Sequence, residues 1–332
     1  MGRFRKKPMS QSAPIQPKPA QLKPTQSNSS RDRWLIWTAL ISLYLIWGST
    51  YLVMGISVRD DGFAVFQLNS IRFIVAGGLL FSILRSRGVT LPNRVQTRNA
   101  AIIGVMLVIG GNGLTTLALR MGAPSGLSAT VIATTTLWAG LWGLIFGNRP
   151  RNLEWLGMGL GVIGVMVLTI DPKTGTNPAI LVQLCAPMIW SLASIISQRL
   201  EMPRALMAAS IEMFAGGVVA LVISLILREP WQMPSANAWF AWVYLVVFGS
   251  LVGYGSYSYL LENVRPALAT SYAYVNPVIA LLLGAWLVGE TISPKLILAL
   301  PVILAGMALI AWAQNAPRTL GHAKSDQEAE TT

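Results

Sequence analysis

Charged residues are scarce in this chain of 332 residues. Asp, Glu, Lys and Arg make up only 11% of the sequence, against roughly 25% in a typical soluble domain. Hydrophobic residues make up 53%, and the mean hydropathy is +0.55. So few charges leave too little polar surface for a soluble globule. We therefore interpret the chain as an integral membrane protein.

Cysteine and histidine are almost absent. Cys185 is the single cysteine, so an intramolecular disulfide and a metal site of thiolates are excluded. The single histidine, His322, lies in the C-terminal tail, which excludes a histidine proton relay and a zinc site. The sequence has no P-loop, and its apolar runs hold no cluster of a nucleophile, a base or metal ligands. We therefore expect no enzyme activity, no metal and no organic cofactor.

Long apolar runs are what the sequence does contain. About 20 residues at ~1.5 Å rise cross a ~30 Å hydrocarbon core as a helix. Ten runs of about this length lie near residues 34–57, 63–84, 98–119, 124–146, 153–170, 178–198, 206–227, 237–261, 267–289 and 294–313. Because most connections are short, neighbouring helices run antiparallel. The prediction is an all-α integral membrane protein with ten transmembrane helices.

The two tails are basic and polar. Residues 1–33 and 314–332 hold few large apolar side chains, so we predict that they are disordered. Of the 25 Lys and Arg residues, 19 fall on the side of both tails, five on the other side, and Arg72 inside a span. The positive-inside rule then places both termini in the cytoplasm of a bacterium, with the chain in its inner membrane. An acid-poor basic N-terminal tail also fits a plastid transit peptide, so the plastid envelope stays open as an alternative.

The net charge of +12 has the same explanation. The positive charges flank the membrane spans, where they set the topology and meet anionic lipid. We therefore expect the lipid bilayer, and not nucleic acid, as the partner of these charges.

The sequence repeats itself at an offset of 142 residues. The matched pairs include Gly111 with Gly253, Gly113 with Gly255, and Pro124 with Pro266. In addition, SIRFIVAGG at 70–78 is echoed by SIEMFAGG at 210–217. We place the two repeats at 34–171 and 178–313. Because each repeat holds five spans, an odd number, the second must enter the membrane from the opposite side. Inverted repeats of this kind are the architecture of many secondary transporters.

Polar side chains inside the ninth span mark a candidate substrate cavity. Tyr272 and Asn276 are four residues apart and share a helix face, and their repeat mates are Thr130 and Thr134. Pro277 removes a backbone donor, so we expect a helix break there that frees a carbonyl for substrate. The alternative is that Asn276 only bonds a neighbouring helix.

Further candidates lie at matched places in other spans. Asn112 lies among glycines, Tyr254 lies at its equivalent place, and Tyr257 follows one turn later. Trp47 and Trp190 are also matched, and both lie too deep for an interfacial aromatic belt. The tyrosines would suit an amphipathic organic substrate or would simply pack, and the tryptophans would be gates or core residues.

Two charged residues occupy matched places in the second and seventh spans, Arg72 and Glu212. Ionisable residues inside a membrane are expensive and functional by default. Glu212 is the acidic candidate for proton coupling, and either residue could recognise a substrate charge. The alternative is a structural role, as a hydrogen-bonded group or a salt bridge. A rise of ~1.5 Å per residue places the two at different depths, which disfavours a direct pair.

Other residues have a structural interpretation. Gly157 with Gly161, and Gly249 with Gly253, have the GxxxG spacing that lets helices pack closely. Glu290 lies at the outer end of the ninth span, where we interpret it as a solvated cap or loop charge.

Four stretches carry a family resemblance: IWGSTY at 46–51, the Gly-Asn-Gly run at 111–113, PSGLSATV at 124–131 and PALATSYAYVNPV at 266–278. They resemble the EamA family of the drug/metabolite transporter superfamily, and the resemblance covers residues 38–312. It implies a ten-helix carrier of two repeats with a central cavity that moves small metabolites, often amino acids or their relatives.

The prediction is therefore a secondary active transporter that works by alternating access. We expect it to export amino acids or related amphipathic compounds, with export resting on the family resemblance. The alternatives are a facilitative channel, which would need a continuous polar pore, and a membrane structural or assembly protein, which would not need matched polar stripes. The sequence leaves the coupling ion and the oligomeric state open.

Overall fold

The computed structural model describes residues 30–59, 61–147, 152–171, 175–264 and 266–315. The predicted disorder of residues 1–29 and 316–332, and His322 with it, lies outside the described residues. In chain order the helices, with two π-helical segments, are α1 (Ser30–Val58), α2 (Val65–Ser86), α3 (Arg94–Val105), π1 (Met106–Gly113), α4 (Leu114–Arg120), α5 (Ser125–Ala133), α6 (Thr135–Ile145), α7 (Asn152–Thr169), α8 (Pro178–Ser197), α9 (Ala205–Ile226), α10 (Ala236–Tyr244), π2 (Leu245–Val252), α11 (Gly253–Asn263), α12 (Pro266–Ala269), α13 (Tyr272–Val288) and α14 (Pro294–Asn315).

A small strand pair joins α7 to α8. Strand β1 (Ile170–Asp171) pairs antiparallel with β2 (Gly175–Thr176). The all-α prediction missed this pair, because two residues per strand are too few to show an alternating pattern. The rest of the described chain is helical, as predicted.

Within the described ranges, eight helical stretches are long and apolar enough to cross a membrane. They are Arg33–Val58, Val65–Ser86, Arg94–Arg120, Ser125–Ile145, Pro178–Ser197, Ala205–Ile226, Ala236–Leu261 and Pro294–Ala313. Two further apolar helices, Asn152–Leu168 and Tyr272–Val288, are shorter and lie where the fifth and ninth spans were predicted. At ~1.5 Å per residue, each reaches about 26 Å, slightly less than the hydrocarbon core.

Helices from the two halves of the chain pack directly against each other. Helix α2 lies along α9, α7 along α14, and α1 and α5 both contact α13. Glycine allows the closest approaches: a Cβ atom on Gly77 would lie 2.6 Å from the backbone nitrogen of Phe214, and one on Gly306 would lie 2.6 Å from the carbonyl oxygen of Gly157. The predicted packing role of Gly157 is therefore confirmed.

The largest apolar cluster lies at the centre of these contacts. It joins Phe73 of α2, Val108 of π1, Met213 of α9 and Val246 of π2, all of them buried. This cluster packs α2, α9 and the two π segments together, and Arg72 and Glu212 lie on two of those elements.

The π segments occupy corresponding places. Each has eight residues and interrupts a long helix, π1 between α3 and α4 and π2 between α10 and α11. Helices α3 and α10 begin at Arg94 and Ala236, which are separated by the repeat offset of 142. π-helical turns inside α-helices are frequent at functional sites.

The predicted helix break at Pro277 is wrong in its position. The chain turns at Thr270 and Ser271, between α12 and α13, whereas Pro277 lies inside the continuous helix α13. There the proline ring deprives only one carbonyl, that of Ala273, of its helical donor, and this loss falls in the first turn of α13. Because the turn at 270–271 already separates α13 from α12, the helix continues past Pro277 without a second break.

Candidate functional site

Four of the predicted cavity residues form one aromatic cluster. Trp47 of α1 contacts Tyr254 and Tyr257 of α11 and Tyr272 of α13, with ring centroids 5.7, 5.4 and 4.7 Å from its own. The rings of Tyr257 and Tyr272 are themselves 5.7 Å apart and nearly perpendicular. We call these four residues the Trp47 cluster. It joins the first predicted repeat to the second.

The indole of Trp47 is fixed by the π2 segment and the residue that follows it. Its Nε1 donates a hydrogen bond to the carbonyl oxygen of Gly249 at 3.2 Å. A Cβ on Gly253 would lie only 3.0 Å from the Cδ1 atom of Trp47, so glycine makes the room for the ring. Gly249 and Gly253 were predicted to pack helices together. The structure shows that they seat this tryptophan.

Arg72 adjoins the Trp47 cluster through the same segment. Its side chain is only 3% exposed, its Nε donates to Ser250 Oγ at 3.2 Å, and its guanidinium lies 4.6 Å from the ring centroid of Phe73. A Cβ on Gly249 would be 3.3 Å from Arg72 Nη2. Neighbouring residues of π2 therefore hold Trp47 and Arg72 side by side.

Glu212 lies partly buried on α9, where its backbone packs against Gly104 of α3. Within the described part of the chain its carboxylate makes no hydrogen bond or ion pair, and Arg72 bonds Ser250 instead. The salt bridge considered between these two charges is therefore not formed. Tyr254 packs against the apolar cluster that contains Phe73 and Met213, the residues that follow Arg72 and Glu212 in their helices.

Trp190 has a different environment from that of Trp47. It packs on π1, where a Cβ on Gly111 would lie 2.5 Å from its Cε3 atom. Asn112 lies beside that contact, but its Nδ2 donates to the carbonyl of Leu107 at 3.3 Å within the same segment. The structure does not bring Trp190 and Asn112 into the Trp47 cluster.

Thr130 and Thr134 do not offer their hydroxyl groups to a cavity. Both are fully buried, and their Oγ1 atoms donate to the carbonyls of Gly126 and Val131 at 2.7 and 2.6 Å. Threonine in a helix often bonds back to its own backbone in this way, which uses the donor. The predicted polar stripe of the first repeat is thus absent at these two positions.

Asn276 keeps a free acceptor. The residue is 5% exposed, and its Oδ1 has no hydrogen-bond partner among the described residues. A buried unpaired amide oxygen is costly and marks a place where a ligand or water would bind. The alternative that Asn276 serves only to bond a neighbouring helix through this oxygen is therefore not supported.

A cluster of polar residues at the predicted outer end of the ninth span was not predicted from the sequence. Glu290, 12% exposed, accepts hydrogen bonds from the backbone nitrogen and the Oγ of Ser125, both at 2.8 Å, and lies 3.4 Å from Arg59. Arg59 in turn donates to the carbonyl of Ala123 at 3.0 Å. We call Arg59, Ser125 and Glu290 the outer clasp. Glu290 was interpreted as a solvated cap or loop charge. Its carboxylate does cap a helix, the N-terminus of α5, but it is largely buried there and not solvated.

Glu229 plays a similar part at the same end. Its carboxylate accepts hydrogen bonds from the backbone nitrogens of Phe66 and Gln67 at 3.1 and 2.9 Å, at the first turn of α2. A carboxylate from one half of the chain thus satisfies the free donors of a helix in the other half. The sequence signal was an acidic residue just after an apolar run, which does not reveal its partner.

The described residues contain no group of three or more His, Cys, Asp or Glu side chains that could hold a metal ion. The polar groups in and beside the Trp47 cluster include the tyrosine hydroxyls and the Arg72 guanidinium. Such groups suit the binding and release of an organic molecule.

Comparison with known proteins assigns this chain to a family. A model of the EamA-like transporter family matches residues 33–170 and again residues 177–312. This chain belongs to that family. An Escherichia coli (strain K12) relative, named as the uncharacterized inner membrane transporter YedA, is 42% identical over 278 residues, which cover 83% of this chain and 90% of that protein. The present member of the EamA-like family is a multi-pass inner-membrane protein.

More distant matches agree with the family. A protein of Salmonella typhimurium (strain LT2), named as a probable amino-acid metabolite efflux pump, is 21% identical over 291 residues, covering 83% of this chain and 94% of that protein. One crystal structure has a TM-score of 0.59 and 20% identity, covering 85% of this EamA-like chain and 98% of the matched one. At that identity the likeness shows the fold alone.

Proposed function

We propose that this protein is a secondary active transporter of small metabolites that works by alternating access and binds its substrate at the Trp47 cluster. The observation that carries the proposal is that cluster itself. It joins α1 to α11 and α13, beside a buried cation, and leaves the acceptor of Asn276 on α13 unpaired. A site between two moving halves is the arrangement that alternating access requires.

We further propose that the chain forms ten transmembrane helices in two inverted repeats, at residues 34–171 and 178–313. Three observations support this. The family model matches twice, the π segments interrupt corresponding helices, and each matched tryptophan packs on a glycine of the other half, Trp47 on Gly253 and Trp190 on Gly111. The shorter helices α7 and α13 would cross the membrane as the fifth and ninth spans, with modest local thinning of the bilayer.

The proposed cargo is an amino acid or a related amphipathic compound, moved outward. Aromatic rings with polar tips suit a molecule that has an apolar body and polar ends. The Salmonella relative is named as a probable amino-acid metabolite efflux pump, which supports both the class and the direction.

Glu212 is the proposed site of proton coupling. It has no bonding partner among the described residues, and its chain neighbour Met213 belongs to the apolar cluster against which Tyr254 packs. A carboxyl group in this position can gain or lose a proton as the site opens to either side, and binding of the substrate next to Tyr254 would be linked to that step.

Counterflow in proteoliposomes tests the proposal. Vesicles are loaded with neutral, aromatic and polar amino acids in turn, and uptake of the labelled compound is followed with and without a pH gradient. We expect saturable exchange that the gradient drives in the wild type but not in Glu212→Gln, while Glu201→Gln, an exposed control, behaves as the wild type does.

The outcomes separate the alternatives. Exchange that ignores the gradient in both proteins would remove proton coupling at Glu212 and leave the carrier. Flux without saturation or counterflow would favour a facilitative channel. Absence of flux for every compound would contradict transport of this substrate class and favour a structural role.

A further inference from the structure

Arg72 is a buried cation without a counter-anion in the part of the chain that the structure describes. It is 3% exposed, its Nη1 atom is buried with no hydrogen-bond partner, and no described carboxylate lies within ion-pairing distance of it. Removal of a charged group from water costs several kcal/mol unless an opposite charge or enough hydrogen bonds replace the solvent. The Ser250 hydroxyl and the Phe73 ring replace only part of it.

The remaining donors of Arg72 point to what completes the site. With Nε bonded to Ser250, the Nη1 group still has donors without a partner among the described residues. Two parallel N–H donors in one plane match the two oxygens of a carboxylate, and such bidentate pairs are the strong charged hydrogen bonds of proteins. A phosphate dianion would need further cationic or backbone donors.

The place of Arg72 links it to the proposed substrate site. Trp47 bonds the Gly249 carbonyl and Arg72 bonds the adjacent Ser250, so both side chains meet the same turn of π2. Tyr254, four residues further on, contacts the Trp47 ring and packs against the apolar cluster that contains Phe73, the residue after Arg72. A molecule whose apolar body lies against the rings would have its polar end close to the guanidinium.

We propose that Arg72, oriented by Ser250, binds the carboxylate of the transported molecule. The carrier then selects compounds that join an apolar or aromatic body to a carboxylate. This inference rests on the proposed function and adds the part of the substrate that the protein recognises.

The test uses matched acids and amides. Proteoliposomes with the full chain are loaded with L-phenylalanine, L-phenylalaninamide, phenylacetate or phenylacetamide, and counterflow of the labelled form of the same compound is measured below saturation. We expect the wild type to exchange each acid about 10- to 100-fold faster than its amide, as the loss of a charged bidentate contact predicts.

Variants place the preference at Arg72. Arg72→Gln should reduce the ratio of acid to amide to about one, and Arg72→Lys and Ser250→Ala should each retain part of it, because the charge or the fork is kept. Arg85→Gln removes an exposed cation at the end of the same helix and should leave the ratio unchanged.

Each adverse result has a separate meaning. Three results would overturn the inference and leave the proposed transporter in place. The first is saturable exchange by the wild type with no preference for acids. The others are a preference that survives Arg72→Gln, and an equal loss of acid and amide exchange in that variant. If Arg72→Gln does not reconstitute, an unchanged ratio in both Arg72→Lys and Ser250→Ala would overturn it. No exchange of any of the four compounds would remove the inference together with the proposed substrate class.

Discussion

The Trp47 region and the Trp190 region share a scaffold and differ in chemistry. In each, a tryptophan from one half of the chain packs on a glycine in or next to a π segment of the other half, Gly253 for Trp47 and Gly111 for Trp190. Around Trp47 the chain adds three tyrosine rings and the buried Arg72. The difference teaches that a glycine seats a tryptophan in each half of the chain, and that tyrosine rings and a buried cation surround Trp47.

The largest effect is expected from removal of Trp47, with removal of Trp190 as the matched comparison. Trp47→Ala loses three ring contacts and the bond to Gly249. Because Trp47 is half-buried, we expect the low end of the about 3–5 kcal/mol that a core Trp→Ala change costs. If that energy serves binding, counterflow below saturation should fall at least about 100-fold. Trp190→Ala should lower the rate of counterflow by less than about tenfold. Equal losses in the two variants, at equal protein in the vesicles, would remove the distinction between the regions.

The two glycines offer a finer comparison. Gly253→Ala and Gly111→Ala should both lower thermal stability, because each new methyl group meets a tryptophan and overpacking costs about 1–3 kcal/mol. Only Gly253→Ala should also raise the KM for exchange, by about tenfold, since it displaces Trp47. Thermal unfolding in detergent and counterflow kinetics give the two readouts. A KM that rises in Gly111→Ala alone would reverse the assignment.

The outer clasp, where α13 ends and α5 begins, allows a comparison of buried with exposed carboxylates. Glu290→Ala leaves the backbone donor of Ser125 unpaired and removes the partner of Arg59, so we expect a loss of about 1–3 kcal/mol in stability. Glu201→Ala removes an exposed carboxylate that bonds Asn93, and its effect should stay below about 1 kcal/mol. Melting temperatures that fall equally would show that Glu290 is no more than a surface charge.

The smallest effect is expected at the threonines of the first half. Thr130→Val and Thr134→Val remove hydroxyls that bond only their own helix, so exchange should change less than about twofold, since back-bonded hydroxyls add little to helix stability. A loss above tenfold in either variant, with normal folding, would return these residues to the cavity.

The sequence was sufficient to predict several features of the fold and site. Long uncharged runs predicted the apolar helices, because the cost of charge in lipid leaves a direct trace in composition. Trp47, Tyr254, Tyr257 and Tyr272 were candidates from their matched positions and spacing, for a cavity or for packing. The structure brings the four rings together, and their role in binding is the proposal made above.

Other features depend on hydrogen bonds that composition does not reveal. The π segments are a change of backbone register within ordinary apolar residues, so nothing in LVVFGSLV distinguishes π2 from an α-helix. Thr130 looked polar, yet its hydroxyl bonds within its own helix. Glu290 is a capping residue only because the fold brings the start of α5 next to it, across 165 residues of sequence.

The central claim is that substrate binds beside Trp47 and not beside Trp190. It is tested most directly by a cryo-EM map of the full chain in lipid nanodiscs, with the amino acid that gives the fastest counterflow added at saturating concentration. The account predicts added density in contact with Trp47 and Tyr272, with one end at Arg72. Density beside Trp190 and Asn112, with the Trp47 cluster unchanged, would contradict it.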